Sequence, residues 1–184
     1  MKNQNDRTVA LGLLGAPPVP LSGCMSKPLQ PVNADGTYCY SIGRRPRNKL
    51  TCTPEPVPHL SVEADVKRFK ASADALTLYG VRKRWGDTRD PAVVSLDGRT
   101  RVTTIPESLI RVRLKPGEHR LSVEWDARSM QHVVSGAAGE VRFVELVGWF
   151  WSWGGEFNRE AGSPEGSRSR AMSCKLIADL DMRA

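Results

Sequence analysis

Long apolar runs are missing from this chain of 184 residues. No stretch approaches the roughly 20 consecutive apolar residues that a membrane-spanning helix needs. Histidine is nearly absent: His59, His119 and His132 are the three, and they fall in separate segments that share no catalytic motif. A Gly-rich nucleotide-binding motif, Gly-x-Ser-x-Gly and His-Glu-x-x-His are all lacking. Four cysteines occur without Cys-x-x-Cys or His-x-x-x-His spacing, which argues against a metal site. These gaps leave catalysis without an obvious apparatus, so neither an enzyme nor a cofactor is expected.

Proline, by contrast, is plentiful at one end. Pro17, Pro18, Pro20, Pro28, Pro31, Pro46, Pro54, Pro56 and Pro58 put nine of thirteen in the first 58 residues. A segment that so often lacks a backbone donor reads as a disordered linker, with the folded domain running over 59–184. Charge divides the same way: the chain is +7 overall, and formal counting gives +1 over 1–23, +3 over 24–58 and +3 over 59–184. The domain is therefore only mildly basic. It has no basic stripe interleaved with stacking aromatics, and no nucleic-acid partner is expected.

Residues 1–23 read as an export leader, with Lys2 and Arg7 ahead of Val9-Ala10-Leu11-Gly12-Leu13-Leu14 and small residues following. Leu21-Ser22-Gly23-Cys24 resembles the lipobox of bacterial lipoproteins. That resemblance implies acylation of Cys24, a mature chain starting there, and anchoring by several acyl chains, each buried methylene contributing about 0.8 kcal/mol. Met25, where an aspartate would suggest inner-membrane retention, implies the outer membrane and a periplasm-facing domain. In an oxidising space the remaining thiols are Cys39, Cys52 and Cys174. Cys39 with Cys52 is the first choice for a bridge, closing the Arg-rich loop between them; Cys174 paired with either would instead pin the Pro-rich segment to the domain.

Within the domain, Val62, Val66 and Phe69 are spaced as one face of a short helix over Ser61–Phe69, with Ser61 as the expected cap. Ala75 to Arg84 reads as strand. Asp97-Gly98 centres a hairpin signal that sets Val93 against Val102. Pro116-Gly117 centres a second, with Val112 opposite Leu121 and Ile110 opposite Val123, while Arg111, Arg113, Ser122 and Glu124 take the other face. Strands follow over Gln131–Val134 and Gly139–Trp153, then a polar loop over Ser163–Arg170 and a last strand over Met172–Leu180. The expected fold is mainly β: an antiparallel β-sandwich, immunoglobulin- or transthyretin-like, with a short N-terminal helix and a disordered N-terminal tether.

Ala75-Leu76-Thr77-Leu78-Tyr79, Val94-Ser95-Leu96-Asp97-Gly98, Leu114-Lys115-Pro116-Gly117-Glu118-His119 and Gly139-Glu140-Val141-Arg142-Phe143-Val144 occur in an order that resembles the bacterial lipoprotein family catalogued as domain of unknown function 2846. The resemblance spans residues 75–180 or so. It implies a periplasm-facing β-sandwich and lends no reaction, substrate or catalytic residue.

Two clusters remain as candidate binding residues. Trp149, Trp151 and Trp153 share one face of an extended strand and could stack on a sugar ring, although a sandwich core accounts for such a row as well. Arg44, Arg45, Arg47 and Lys49 form the densest positive group and suit an anionic partner, or simply a solvated loop. Glu107, Glu118, Glu124, Glu140 and Glu145 raise the idea of a carboxylate pair for glycan cleavage, but sequence supplies no separation between them. The expected role is a non-enzymatic binding or structural module of the cell envelope, held to the membrane by its lipid, with an envelope protein or glycan as partner. The alternative is a glycan-binding or glycan-active protein, or an inhibitor of such an enzyme, using the Trp row.

Overall fold

The computed structural model describes residues 29–42, 49–83, 90–151, 154–160 and 163–184. They form β1 (Cys39–Ile42), β2 (Lys49–Cys52), α1 (Leu60–Val66), β3 (Leu76–Arg82), β4 (Ala92–Leu96), β5 (Thr100–Thr104), β6 (Ser108–Leu114), β7 (Gly117–Trp125), β8 (Arg128–Gly136), β9 (Val141–Trp151), β10 (Gly154–Glu160), α2 (Pro164–Met172) and β11 (Lys175–Met182). The chain is mainly β. Its three sheets have strand orders β1-β2, β10-β9-β3-β6-β11 and β5-β4-β7-β8. Most neighbours are antiparallel, but β3 with β9 and β6 with β11 run parallel, so the five-stranded sheet is mixed rather than purely antiparallel.

One change of sheet lies at Pro116-Gly117. The expected hairpin is absent: β6 pairs with β3 and β11, whereas β7 pairs with β4 and β8. The chain crosses from one sheet to the other there, with Gly117 at φ 138°. Apolar alternation cannot separate the two arrangements, because strands of two different sheets that share a core also turn their apolar sides toward it. Leu78, Ile110, Val112, Leu114 and Val144 of the larger sheet accordingly share one buried cluster with Val94, Leu96, Leu121 and Val123 of the smaller.

The β4–β5 hairpin does form, with a shifted register. Asp97 and Gly98 both have positive φ, 50° and 68°, but Leu96 pairs with Thr100, leaving Asp97, Gly98 and Arg99 in the connection. Val94, not Val93, therefore opposes Val102. A slip of one residue exchanges faces, and this register is the one that buries Ala92, Val94 and Leu96 together.

The other side of the five-stranded sheet is covered by helices. Tyr79, Val81 and Leu109 pack with Val66 of α1 and the following Phe69, with Ala171 of α2, and with Cys174 and Leu176 where the chain enters β11. Tyr79 stacks on Phe143 at 5.2 Å between ring centroids, and Phe69 meets Tyr79 edge-on at 5.0 Å. Arg111 belongs to this buried side as well, bonding Asp179 through Nε (2.8 Å) and Nη2 (2.7 Å) and Asp65 through Nη1 (3.2 Å). His59 rather than Ser61 caps α1, its Nδ1 accepting from the Ser61 N–H. The stretch expected as a polar loop contains α2, begun by Ser163, whose hydroxyl accepts from the Gly166 N–H at 3.1 Å, with Pro164 in the first turn.

The largest departure from expectation concerns the Pro-rich stretch. Residues 29–42 and 49–58 pack on the domain rather than forming a tether that runs to residue 58. Tyr38 is fully buried in the main core, with Leu29, Tyr40 and Val57 against it. Cys39 and Cys52 sit opposite one another in the β1–β2 ladder and are joined as a disulfide. Closing a loop of this length contributes about 3 kcal/mol in the chain-entropy picture. Cys174 is buried outside this disulfide, its Sγ donating to the Arg170 carbonyl at 3.4 Å.

Candidate functional site

The Pro-rich segment builds a groove against α1. Asp35 closes a tight turn by accepting from the Thr37 N–H at 2.9 Å and its hydroxyl at 2.7 Å. Gly36 sits at φ +83°, where an added Cβ would also lie 3.0 Å from Pro56 Cβ, so only glycine brings the two strands of chain this close. The Val57 N–H then donates to the Gly36 carbonyl at 2.9 Å, and the Thr53 N–H to the Tyr38 carbonyl at 2.8 Å. These bonds hold residues 29–32 beside residues 57–60. Between them runs a cavity of about 620 Å³ walled mainly by Leu29, Pro31, Val32, Val57, Pro58 and Leu60. Leu60, on the first turn of α1, is 66% exposed although apolar.

Charged side chains also line this trough. Glu63 and Lys175 line it and bond each other through Oε2 and Nζ, and their side chains are only 8% and 4% exposed. Lys67 reaches the other oxygen, Oε1, at 2.7 Å. Burial pushes the Glu63 carboxyl up, but the hydrogen bonds and charges of Lys175 and Lys67 outweigh it and hold the group below its usual range. One carboxylate therefore serves two ammonium groups. The trio keeps a net charge of +1, and Glu63 is the one partner of Lys175 Nζ among the described residues.

A second polar constellation joins two turns. His119 Nδ1 lies 2.7 Å from Asp97 Oδ2, and its Nε2 lies 2.8 Å from the Lys115 carbonyl. Both ring nitrogens face acceptors, which only the doubly protonated ring satisfies. Burial pulls the imidazole pKa down, but the Asp97 hydrogen bond, the Lys115 carbonyl and the Asp97 charge together raise it. Burial likewise pushes Asp97 up, and the bonds from His119 and the Arg120 N–H, with the His119 and Arg99 charges, lower it. Because the folded-state pKa of His119 exceeds the unfolded value of about 6.5, its stabilisation is complete below that pH and is lost as pH rises through the folded value. Urea titrations across this range should find that His119→Gln removes part of the alkaline decline seen in the wild type. A stability difference that is the same at every pH would refute the assignment.

Four of the five carboxylates considered for glycan cleavage have a side-chain partner, and the fifth, Glu118, is exposed on β7. Glu145 bonds Ser167 and Arg170, Glu107 bonds Lys83, Glu124 bonds Arg101, and Glu140 bonds Arg142. Of the binding candidates, Cys24, Arg44, Arg45, Arg47 and Trp153 lie outside the described residues. Lys49 begins β2 opposite Ile42, and Trp149 and Trp151 lie on β9 opposite Glu156 and Gly154 of β10. Among the described residues, 141–145 of β9 pair with β3, and the Trp-bearing part of the strand pairs with β10.

The groove was not among the sequence expectations. Its signal is the apolar set Leu29, Val32, Val57 and Leu60 interleaved with prolines, together with a lysine directly ahead of the apolar Leu176-Ile177. No protein-family model matches the chain, and a search of curated proteins likewise finds no match. The functional reading therefore rests on residues and geometry.

Proposed function

We propose that this chain is a non-enzymatic ligand-binding module of the cell envelope, acylated at Cys24, anchored in the outer membrane and facing the periplasm. Its scaffold is a β-sandwich, the five- and four-stranded sheets facing each other across the cluster they share. The observation that carries the binding role is the groove between the Pro-rich segment and α1: an open apolar trough with a few convergent polar groups, the common form of a small-molecule site. The lipobox-like Leu21-Ser22-Gly23-Cys24 supports the anchor. The Cys39–Cys52 disulfide fits an oxidising compartment.

Two measurements test the two halves of this reading. Metabolic labelling with a fatty acid should mark the wild type and not Cys24→Ala; equal labelling would remove the anchor. Nile red, a neutral environment-sensitive dye, should bind saturably to the wild type and lose binding in Leu60→Glu, which places a charge on the rim without disturbing the core. Absence of saturable binding would remove the groove as a site.

A further inference from the structure

We infer that the groove selects an aliphatic monocarboxylate, an acid whose hydrocarbon body lies along the apolar walls and whose head meets Lys175. This rests on the reading of the groove as a ligand site and names the ligand class. Three observations carry it. The walls are mainly proline and branched aliphatic side chains, with Gln30 and His59 the polar additions beside Glu63 and Lys175, so the body of the ligand is apolar. Lys175 is a buried ammonium with three donors, one of which is used by Glu63. A burial of this kind is tolerated when paired, and a second anion would complete it.

The third observation is the charge balance. Glu63 is shared between Lys175 and Lys67, so the cluster retains a single uncompensated positive charge. One negative charge neutralises it; a dianion would overshoot, and an amine would be repelled. Because Lys175 and Glu63 are screened from water by their burial, the preference should persist at salt concentrations that suppress surface ion pairing.

The test compares three probes of one chain length below their micelle-forming concentrations, dodecanoate, dodecanol and dodecylammonium, each titrated into the full chain against bound Nile red. Dodecanoate should displace the dye at about tenfold lower concentration than dodecanol, the difference expected of one charge-assisted hydrogen bond, and dodecylammonium should be weakest. Lys175→Met should abolish the preference for the acid while leaving dodecanol unchanged. Lys67→Met, at a position nearer solvent, keeps the protein folded if Lys175→Met does not and should reduce the preference several-fold. Equal displacement by acid and alcohol, or an acid preference that survives both substitutions, overturns the inference and leaves the groove as a neutral apolar site. Failure of Nile red and all three probes to bind overturns both the inference and the groove.

Discussion

Replacing Tyr38 by alanine should lower the free energy of unfolding by about 3–5 kcal/mol, the usual consequence of removing a buried aromatic ring. Tyr38 has no exposed surface and belongs to the cluster that also holds Leu78, Val112 and Val123. Its backbone is bonded on both sides, donating to Thr53 Oγ1 at 3.1 Å and accepting from the Thr53 N–H at 2.8 Å. Removal of the ring would leave the β1–β2 hairpin closed by its disulfide but poorly seated on the sheets. Leu50, on the same hairpin and 65% exposed, is the control: Leu50→Ala should change stability by no more than about 0.5 kcal/mol. Chemical denaturation of the two variants would separate a hairpin that belongs to the core from one that merely trails it. Similar small effects at both positions would mean that the Pro-rich segment does not contribute to the fold.

The second large effect is expected at the buried ion pair that lines the groove. Glu63→Leu should cost about 3–5 kcal/mol, because it leaves the Lys175 ammonium buried beside Lys67 without a counter-charge. The double variant Glu63→Leu with Lys175→Met replaces the buried pair by apolar side chains and should recover most of that loss, a coupling a double-mutant cycle reads directly. The sign of the pH dependence follows from the lowered Glu63 carboxyl. Its stabilisation is present above the unfolded carboxyl value of about 4.3 and is lost as pH falls through the lower folded value. The wild type should therefore lose stability in acid more steeply than the double variant. Loss in the double variant as large as in Glu63→Leu would show that the carboxylate acts through something other than Lys175.

Residues 108–125 show how far the sequence could be read. Their alternation placed Ile110, Val112, Leu121 and Val123 on buried sides, and all four are buried. It could not say which strands were bonded, since a hairpin and a crossover between two sheets that share a core require the same alternation. Arg111 and Arg113 were put on the opposite face, where charge suggested solvent; Arg111 is instead enclosed by Asp179 and Asp65 under α1. Helix α2 escaped notice because it docks through Ser167 and Ala171 and through Arg170 to Glu145 rather than through an apolar stripe. Its Ser163-Pro164-Glu165 start was the available signal.

The prolines misled for a definable reason. Pro54, Pro56 and Pro58 occur at alternate positions, and the residues between them keep their donors: Val57 bonds Gly36, and just ahead Thr53 bonds Tyr38. A proline at every second position in an extended segment removes the N–H groups on one edge and leaves the other edge free to pair. Counting prolines therefore suggested a linker, whereas their spacing suits an edge segment. The groove follows from that difference, because it exists only where residues 29–32 and 57–60 are held beside α1.

Native-state amide hydrogen exchange tests this most directly. The amides of Tyr38, Thr53 and Val57 each donate within the segment or across it. They should exchange with protection comparable to that of core β3 amides such as Leu78, opening only with global unfolding. Exchange of those three amides at the rate of an unstructured chain, with β3 still protected, would contradict the account: the segment would then be a tether, and the groove would not exist.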